Sequence, residues 1–382
     1  MGVKKRMSVQ LNKQIIDSTE AFRELRPHWQ QLLTRIPNHT IFMTWEWMYT
    51  WWEVYQPRLK NAELRILAYY DQEELVGVLP YYIATVHLGP IPLRKMAFLG
   101  SQIESSDYLD VITPEDYHAY FRQHLYTDLR ALGEGVDVIE INNCLSQSLV
   151  FQLLGRSQNG TAFVEPFRVC PYVELPDSFD VYLKRLSSNF RYNVRRRVRK
   201  LMEKEQARLE ILDRQADLDT AIKNIFDLHF LRAQQKGLNT KFVRERRLNF
   251  HQKMARRLAP KGYIKIFNLL AADGRQIAGL YCFDYNGALA YFQAGFDPAW
   301  ANRSPGTVIL AQAIQYAIQQ GKTIFDFMRG GEQYKKDWGT VDRYIYLITL
   351  PNSFKGQTYL TYYKYRKRMT PAIKKLFTRT GR

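Results

Sequence analysis

Two short dipeptides constrain the fold of this 382-residue chain more than any other feature. Asp273-Gly274 and Asn286-Gly287 divide residues 263–296 into three apolar and aromatic runs, at 263–271, 276–285 and 289–296. Such dipeptides supply the positive φ angles of tight hairpins, so the runs are expected to form an antiparallel meander. A helix follows at 305–320, with Pro305 in its first turn and Gly321 just past its end. A strand at 323–328, a glycine-containing loop and a strand at 344–350 come next. Upstream, helical spacing marks 177–186, 188–206, 216–235 and 244–259, with a short strand at 209–212 and Gly237 as a helix stop. The second half is therefore expected to be mixed α/β, a meander joined to a parallel strand by a crossover helix.

The first half shows a weaker form of that order. Helices at 21–33 and 45–54 precede strands at 64–70 and 75–85, and a helix at 115–132 leads to a strand at 136–142. No residue-level repeat links the halves, so duplication rests on element order alone. The expected domains are 1–175 and 176–354, followed by a basic, aromatic helix at 355–382. At 46% apolar and 14% aromatic residues, the chain has enough apolar surface to bury real cores.

Charge is unevenly divided. Residues 1–183 carry 16 basic and 22 acidic side chains, whereas 184–382 carry 39 and 15. A basic field of that size attracts nucleic acid, anionic lipid or a phosphorylated co-substrate; a merely solubilising surface is the plainer alternative. Cys144, Cys170 and Cys282 are far apart with no CxxC, which argues against a disulfide scaffold or zinc ribbon and fits a reducing compartment. The basic start lacks the apolar core of a secretory signal, and no segment reads as transmembrane. The expectation is a cytoplasmic protein without a metal, able to sit peripherally at the inner face of a membrane.

Several stretches could carry chemistry. Asn302-Arg303-Ser304-Pro305-Gly306-Thr307 joins a strand to a helix, where free amides favour phosphate oxygens; an ordinary capped helix would look the same. Neither GxGxxG nor GxxxxGK[ST] occurs. The run from Phe325 to Gly339 sets Asp326 on a strand beside Arg329, Tyr334 and Lys335, able to take a proton or grip an anionic substrate. Alternatively, Asp326 caps nearby backbone and Trp338 packs. His229 falls on the Leu218/Ile222/Ile225 stripe, as a hydrogen-bonded core histidine or as a base facing a cleft. Trp45-Glu46-Trp47 with Trp51-Trp52 reads as core. Asp107, Tyr108 and Asp110 form a loop that either only turns the chain or contacts an amine.

The stretch YFQAGFDPAWANRSPGTVILAQAIQYAIQQGKTIFDFMRGGEQYKKDWGT resembles the GNAT superfamily acyltransferases of the BioF-like/CelD-like branch, found near bacterial cellulose, exopolysaccharide and natural-product genes. The likeness covers about residues 180–340, through Ser188-Asn189-Phe190-Arg191 and Leu228-His229. TWEWMYTWWEVY and SDYLD are similar to the branch's N-terminal region, and two such halves resemble the Fem-type peptidyltransferases. The resemblance implies tandem GNAT-like domains with mixed, mainly antiparallel sheets flanked by helices. It also implies transfer of an acyl group from a CoA thioester to an amine. CoA's pyrophosphate would then fall on Ser304, Pro305, Gly306 and Thr307, although the [QR]xxGx[GA] loop of ordinary GNAT enzymes is absent. The branch's Asp-Gly-Tyr-Lys pattern falls on Asp326, Gly330, Tyr334 and Lys335.

An N-acyltransferase is thus expected, using acyl-CoA or an acyl-carrier protein. Its acceptor would be an amine on a sugar, peptide or other envelope or secondary-metabolite precursor. Asp326 or His229 would be the base, Asp107, Tyr108 and Asp110 would hold the acceptor, and Arg329, Tyr334 and Lys335 would contact substrate. Two alternatives are a Fem-type transferase drawing on aminoacyl-tRNA and a non-catalytic protein binding membrane or nucleic acid through its basic tail.

Overall fold

The computed structural model describes residues 10–101, 104, 106–155, 162–213, 218–235 and 241–379. The start of the helix expected at 216 and its stop at Gly237 lie outside these residues. In chain order the elements of the first half are β1 (Asn12–Ile16), α1 (Thr19–Glu24), α2 (Arg26–Thr34), α3 (Trp45–Tyr55), β2 (Glu63–Asp71), β3 (Glu74–Leu88), β4 (Ile91–Phe98), α4 (His118–Leu132) and β5 (Val138–Leu145). There follow β6 (Phe163–Glu174), α5 (Phe179–Arg185), α6 (Ser188–Arg199), β7 (Arg208–Leu212), α7 (Leu218–Gln235), α8 (Lys241–Leu258), β8 (Ile264–Leu270), β9 (Gln276–Tyr285) and β10 (Ala288–Phe296). The chain closes with α9 (Pro305–Gln319), β11 (Ile324–Asp326), α10 (Gln333–Lys336), β12 (Val341–Pro351) and α11 (Phe354–Arg379).

Two units partition the chain, and neither is continuous in sequence. One comprises Met1–Pro37, Phe42–Phe167 and Ile345–Arg382; the other comprises Asn38–Ile41 and Arg168–Tyr344. The first unit has strand order β1-β2-β3-β4-β5-β12 and the second β6-β11-β10-β9-β8-β7. Both are mixed, mainly antiparallel sheets with flanking helices, the tandem GNAT-like fold class that the sequence implied.

The units share one device. Each has a three-stranded antiparallel meander followed by a helix and a parallel strand. In the first unit the parallel pairing is Lys95↔Val138, Met96↔Ile139 and Ala97↔Glu140; in the second it is Ala288↔Ile324, Leu289↔Phe325 and Ala290↔Asp326. Pairing stops there in both, while β5 and β10 run on. In the first unit the segment before α4 folds back beside β5, with the Leu109 N–H donating to Asn143 O (2.9 Å) and Ile112 bridging Val78. The second unit has no such insert, since β10 reaches α9 through a short turn at 297–304.

Turn chemistry behaves as its residues require, with one difference. Asn286 and Gly287 both take positive φ (44° and 75°) and close β9 onto β10 tightly. At the other hairpin only Gly274 is left-handed (φ 83°), and the turn spans Ala271 to Arg275 because Ala271 N–H donates to Arg275 O. Strands β1, β4 and β6 escape the sequence pattern; Pro92, Arg94 and Lys95 interrupt β4, and Pro166 and Pro171 interrupt β6. The helix expected at 21–33 breaks at Pro27, which opens α2.

In the second unit, alternate residues of β9 face different helices. Ala278, Leu280 and Cys282 join Val308, Ala311 and Ile314 of α9 in the main core. Gly279 faces α7, and Tyr281 faces His251 of α8. All three cysteines are free and buried. Among the described residues, no helix is long and apolar enough to cross a membrane.

Candidate active site

Strand β10 organises the site. Past Ala290 it has no parallel partner among the described residues, and a bulge at Phe292 shifts its register on β9 from Tyr291↔Cys282 to Gln293↔Tyr281. An inserted residue reverses which face the following side chains take. Leu289 and Tyr291 before the bulge, and Ala294 and Phe296 after it, pack toward the α9 core. Gln293 and Gly295 are thereby turned to α7.

That turn creates the contact with His229. Gly295 stands in register with Gly279, and together they leave a flat patch on which α7 rests. A Cβ at Gly295 would lie 2.6 Å from His229 N, 2.6 Å from Leu228 Cβ and 2.7 Å from Ile225 O. So close a seat puts His229 Nδ1 2.7 Å from Gln293 Nε2 and 3.2 Å from Ala294 O. Leu218, Ile222 and Ile225 are buried whereas His229 is exposed, so the core-histidine alternative is not what the fold adopts. Leu231 and Gln234, farther along α7, line an open depression with Asp297, Pro298 and Ala299.

At the far end of β10, Phe296 leads into the turn before α9. Ser304 takes the left-handed conformation (φ 54°, ψ 48°), and its carbonyl accepts from Thr307 N–H at 3.0 Å and Val308 N–H at 3.3 Å. Pro305 has no N–H, so among the described residues the Gly306 amide is the open donor of this first turn. A Cβ on Gly306 would meet only Phe296, at an ordinary 3.4 Å. Arg197 of α6 donates to Thr307 Oγ1 at 3.3 Å, adding a guanidinium to the positive end of the helix. Arg303 is held back by Glu205 (2.6 Å) and lies over the Trp300 ring.

The third constellation surrounds the end of β11. Asp326 is buried; its Oδ1 accepts from Met328 N–H (2.8 Å) and its Oδ2 pairs with Arg343. Arg343 in turn stacks over Tyr172. Both carboxylate oxygens are thus engaged, in the capping role that the sequence left as the alternative. Trp338 packs, within 5.1 Å of the Phe190 ring and buried in the core.

Lys335 is also buried. Its Nζ donates to the carbonyls of Phe327 (3.0 Å), Arg329 (3.1 Å) and Gly330 (3.1 Å) and pairs with Glu332 (3.0 Å). The ammonium is the hub of the 327–332 loop, engaged with protein rather than offered to a substrate. Arg329 is half-buried on the same loop. Tyr334 is 40% exposed, and its hydroxyl lies 3.3 Å from that of Tyr291, where β10 leaves β11. Desolvation, with the Tyr334 hydroxyl and Glu332 nearby, holds the Tyr291 phenol well above its ordinary pKa.

Asp107, Tyr108 and Asp110 belong to the first unit. Asp107 and Tyr108 are buried, and Tyr108 turns the chain at φ 61°. Asp110 accepts backbone N–H bonds from Val111 (2.8 Å), Leu149 (2.7 Å) and Val150 (2.9 Å). These residues hold the insert together, which is the turn-forming alternative; Asp110 spends its carboxylate on backbone amides rather than on an amine.

Arg197, Gln293 and Tyr291 are the residues that sequence reasoning missed. The bulge that turns Gln293 has no sequence signature of its own, and Arg197 is one of seven basic residues between 191 and 204. Among the described residues no cluster of His, Cys, Asp and Glu could hold a metal ion.

Residues 188–336 match the family described as an acetyltransferase (GNAT) domain. A search of curated proteins finds no match to the sequence. Among solved structures, FemX superposes with a TM-score of 0.59 at 12% identity, covering 89% of this chain and 98% of FemX. A conserved protein of unknown function from Bacteroides thetaiotaomicron gives 0.55 at 9% identity, over 88% of this chain and all of its own. A C-terminal domain (DUF2156) assigned to a lysylphosphatidylglycerol synthetase of Agrobacterium fabrum gives 0.51 at 8% identity, over 89% of this chain and 95% of that domain. Residues 188–336 are thus similar to an acetyltransferase (GNAT) domain, and the chain shares its fold with FemX over most of its length.

Proposed function

We propose that the second unit transfers an acyl group from a thioester, acyl-CoA or an acyl-carrier protein, to an amine of a sugar, peptide or other envelope or secondary-metabolite precursor. The observation that carries this reading is the half of β10 past Ala290, paired to β9 on one edge but no longer to β11 on the other, which links the His229–Gln293 pair at one point to the open Gly306 amide at the other. An extended pantetheine arm can hydrogen-bond to such a strand edge, with its pyrophosphate at the α9 N-terminus beside Arg197. The carbonyl carbon is then held where an amine can reach it. His229 takes a proton from the amine as the C–N bond forms and the C–S bond breaks. The Tyr291 and Tyr334 hydroxyls supply a proton to the leaving thiolate. The depression at Leu231, Gln234 and Asp297 receives the acceptor, its carboxylate attracting an ammonium.

One observation favours a second reading in which the donor is aminoacyl-tRNA. The fold is shared with FemX over most of the chain, and α6 with the turn after it concentrates cations suited to a nucleic-acid backbone. Incubating the purified protein with acyl-CoA, acyl-carrier-protein and aminoacyl-tRNA pools plus candidate amines, read by mass spectrometry, separates the two. The first reading expects an N-acylated amine with thioester consumption, and an Arg197→Gln variant whose KM for acyl-CoA rises about tenfold. No thioester turnover, together with salt-sensitive tRNA binding, overturns it in favour of the second.

A further inference from the structure

Helix α11 of the first unit has two unlike sides. Toward the unit it is anchored: Leu360 is buried, Tyr359 Oη donates to Glu140 (3.4 Å), Tyr363 Oη donates to Glu165 (2.6 Å) and Lys367 pairs with Glu165. Gly356 passes so close to Asp137 O that no Cβ fits there. Positions 356, 359, 360, 363 and 367 share one side of a helix.

The opposite side carries Phe354, Tyr362 and Tyr365, exposed by 88%, 46% and 62%. Lys355 and Arg366 fall on one flank of this aromatic stripe by helical geometry and Lys364 on the other. The whole helix has eight Lys and Arg and no Asp or Glu. In the sequence the three-to-four spacing continues at Met369, Ile373 and Leu376. A helix used only for docking onto its own unit has no need of exposed rings on its far side.

We propose that this outer side lies on an anionic bilayer surface, with the aromatic rings in the headgroup layer and the flanking cations among lipid phosphates. The arrangement distinguishes a bilayer from a nucleic acid. An interfacial helix presents aromatic or apolar side chains along one side with cations at its flanks, and Tyr belongs to the residues that favour the headgroup depth. A phosphodiester backbone instead calls for cations along the centre of the contact, where this helix places Phe354, Thr358, Thr361 and Tyr365. The surface is independent of the acyl-transfer reading, so either can fail alone.

Flotation of the full chain with vesicles tests the proposal, using phosphatidylcholine alone and phosphatidylcholine mixed with phosphatidylglycerol. Binding is expected only to the mixed vesicles and is expected to weaken with salt. Phe354→Ser/Tyr362→Ser/Tyr365→Ser and, separately, Lys355→Gln/Lys364→Gln should each lower partitioning by about tenfold or more. Circular dichroism melts like the parent's would show both variants folded. Equal binding to phosphatidylcholine alone, unchanged binding of the folded aromatic variant, or retention on duplex RNA without vesicle binding would each overturn it.

Discussion

His229 and Gln293 meet through nitrogen atoms, Nδ1 to Nε2 at 2.7 Å, with the Ala294 carbonyl 3.2 Å away on the same side of the ring. The imidazole is therefore held through Nδ1. If Nδ1 holds the proton, Ala294 O accepts it and Nε2 is a base; if Gln293 donates to Nδ1, the neutral ring carries its proton on Nε2. His229→Ala should lower kcat by about 10²- to 10⁴-fold while leaving the melting curve unchanged. Gln293→Glu places a carboxylate against Nδ1, stabilises the Nδ1–H tautomer and raises the histidine's affinity for protons. The acid limb of the kcat/KM profile should then move up by about one pH unit; an unmoved limb would take His229 out of the chemistry.

The seat of α7 on two glycines makes a sharper test. Gly295→Ala forces a methyl against backbone atoms of Ile225 and His229, which cannot yield as a side-chain tip can. A loss of about 1–3 kcal/mol is expected in denaturant unfolding, and the residual folded enzyme should still show depressed kcat because His229 is displaced. Gly306→Ala is the counterpart. With Phe296 at 3.4 Å the methyl fits, so stability should stay within about 0.5 kcal/mol while KM for the thioester rises if the donor approaches that amide.

What the sequence disclosed depends on how local the physics is. The Asn286-Gly287 turn, the Pro305 helix start and the meander between them are set by neighbours in the chain, and all are where the residues call for them. Strand β6 is set by β11, far along the chain, and β4, although it folds onto its neighbour β3, is hidden by Pro92 and its charged residues. At the candidate site, His229 and the 304–307 turn were legible as a polar residue on a helix face and as a helix start. Gln293 was not, because only a bulge in tertiary pairing turns it toward α7. Lys335 and Asp110 looked like free charges, and each is consumed by backbone groups that no spacing reveals.

Lys335 and Asp326 can be separated from substrate binding by stability. Lys335→Met removes the donor shared by the 327–330 carbonyls, leaving buried acceptors unmatched. That should cost about 2–4 kcal/mol and make the 327–332 loop newly sensitive to limited proteolysis. Asp326→Asn removes the charge that pairs with Arg343 and should cost about 1–3 kcal/mol without shifting the pH–rate profile. A rise in KM for the amine at unchanged stability, in either variant, would return that residue to the substrate.

Asp110 links a buried cap to pH. Although the residue keeps some exposure, desolvation raises its carboxyl from the usual 3.8 to about 6, against the three backbone N–H bonds that pull it down. Between pH 4 and 6 the folded state then binds more protons than the unfolded chain, so this group's contribution falls as pH rises through that window and is flat above it. The slope is at most about 1.4 kcal/mol per pH unit. Asp110→Asn keeps one accepting oxygen and leaves one of the Leu149 and Val150 amides unmatched, a cost of about 1–3 kcal/mol near neutral pH. Because the variant cannot titrate there, its stability relative to the parent should improve steadily from pH 4 to pH 6. Urea unfolding of both proteins across that range measures the difference directly, and parallel curves would mean that the carboxyl titrates at its ordinary pH.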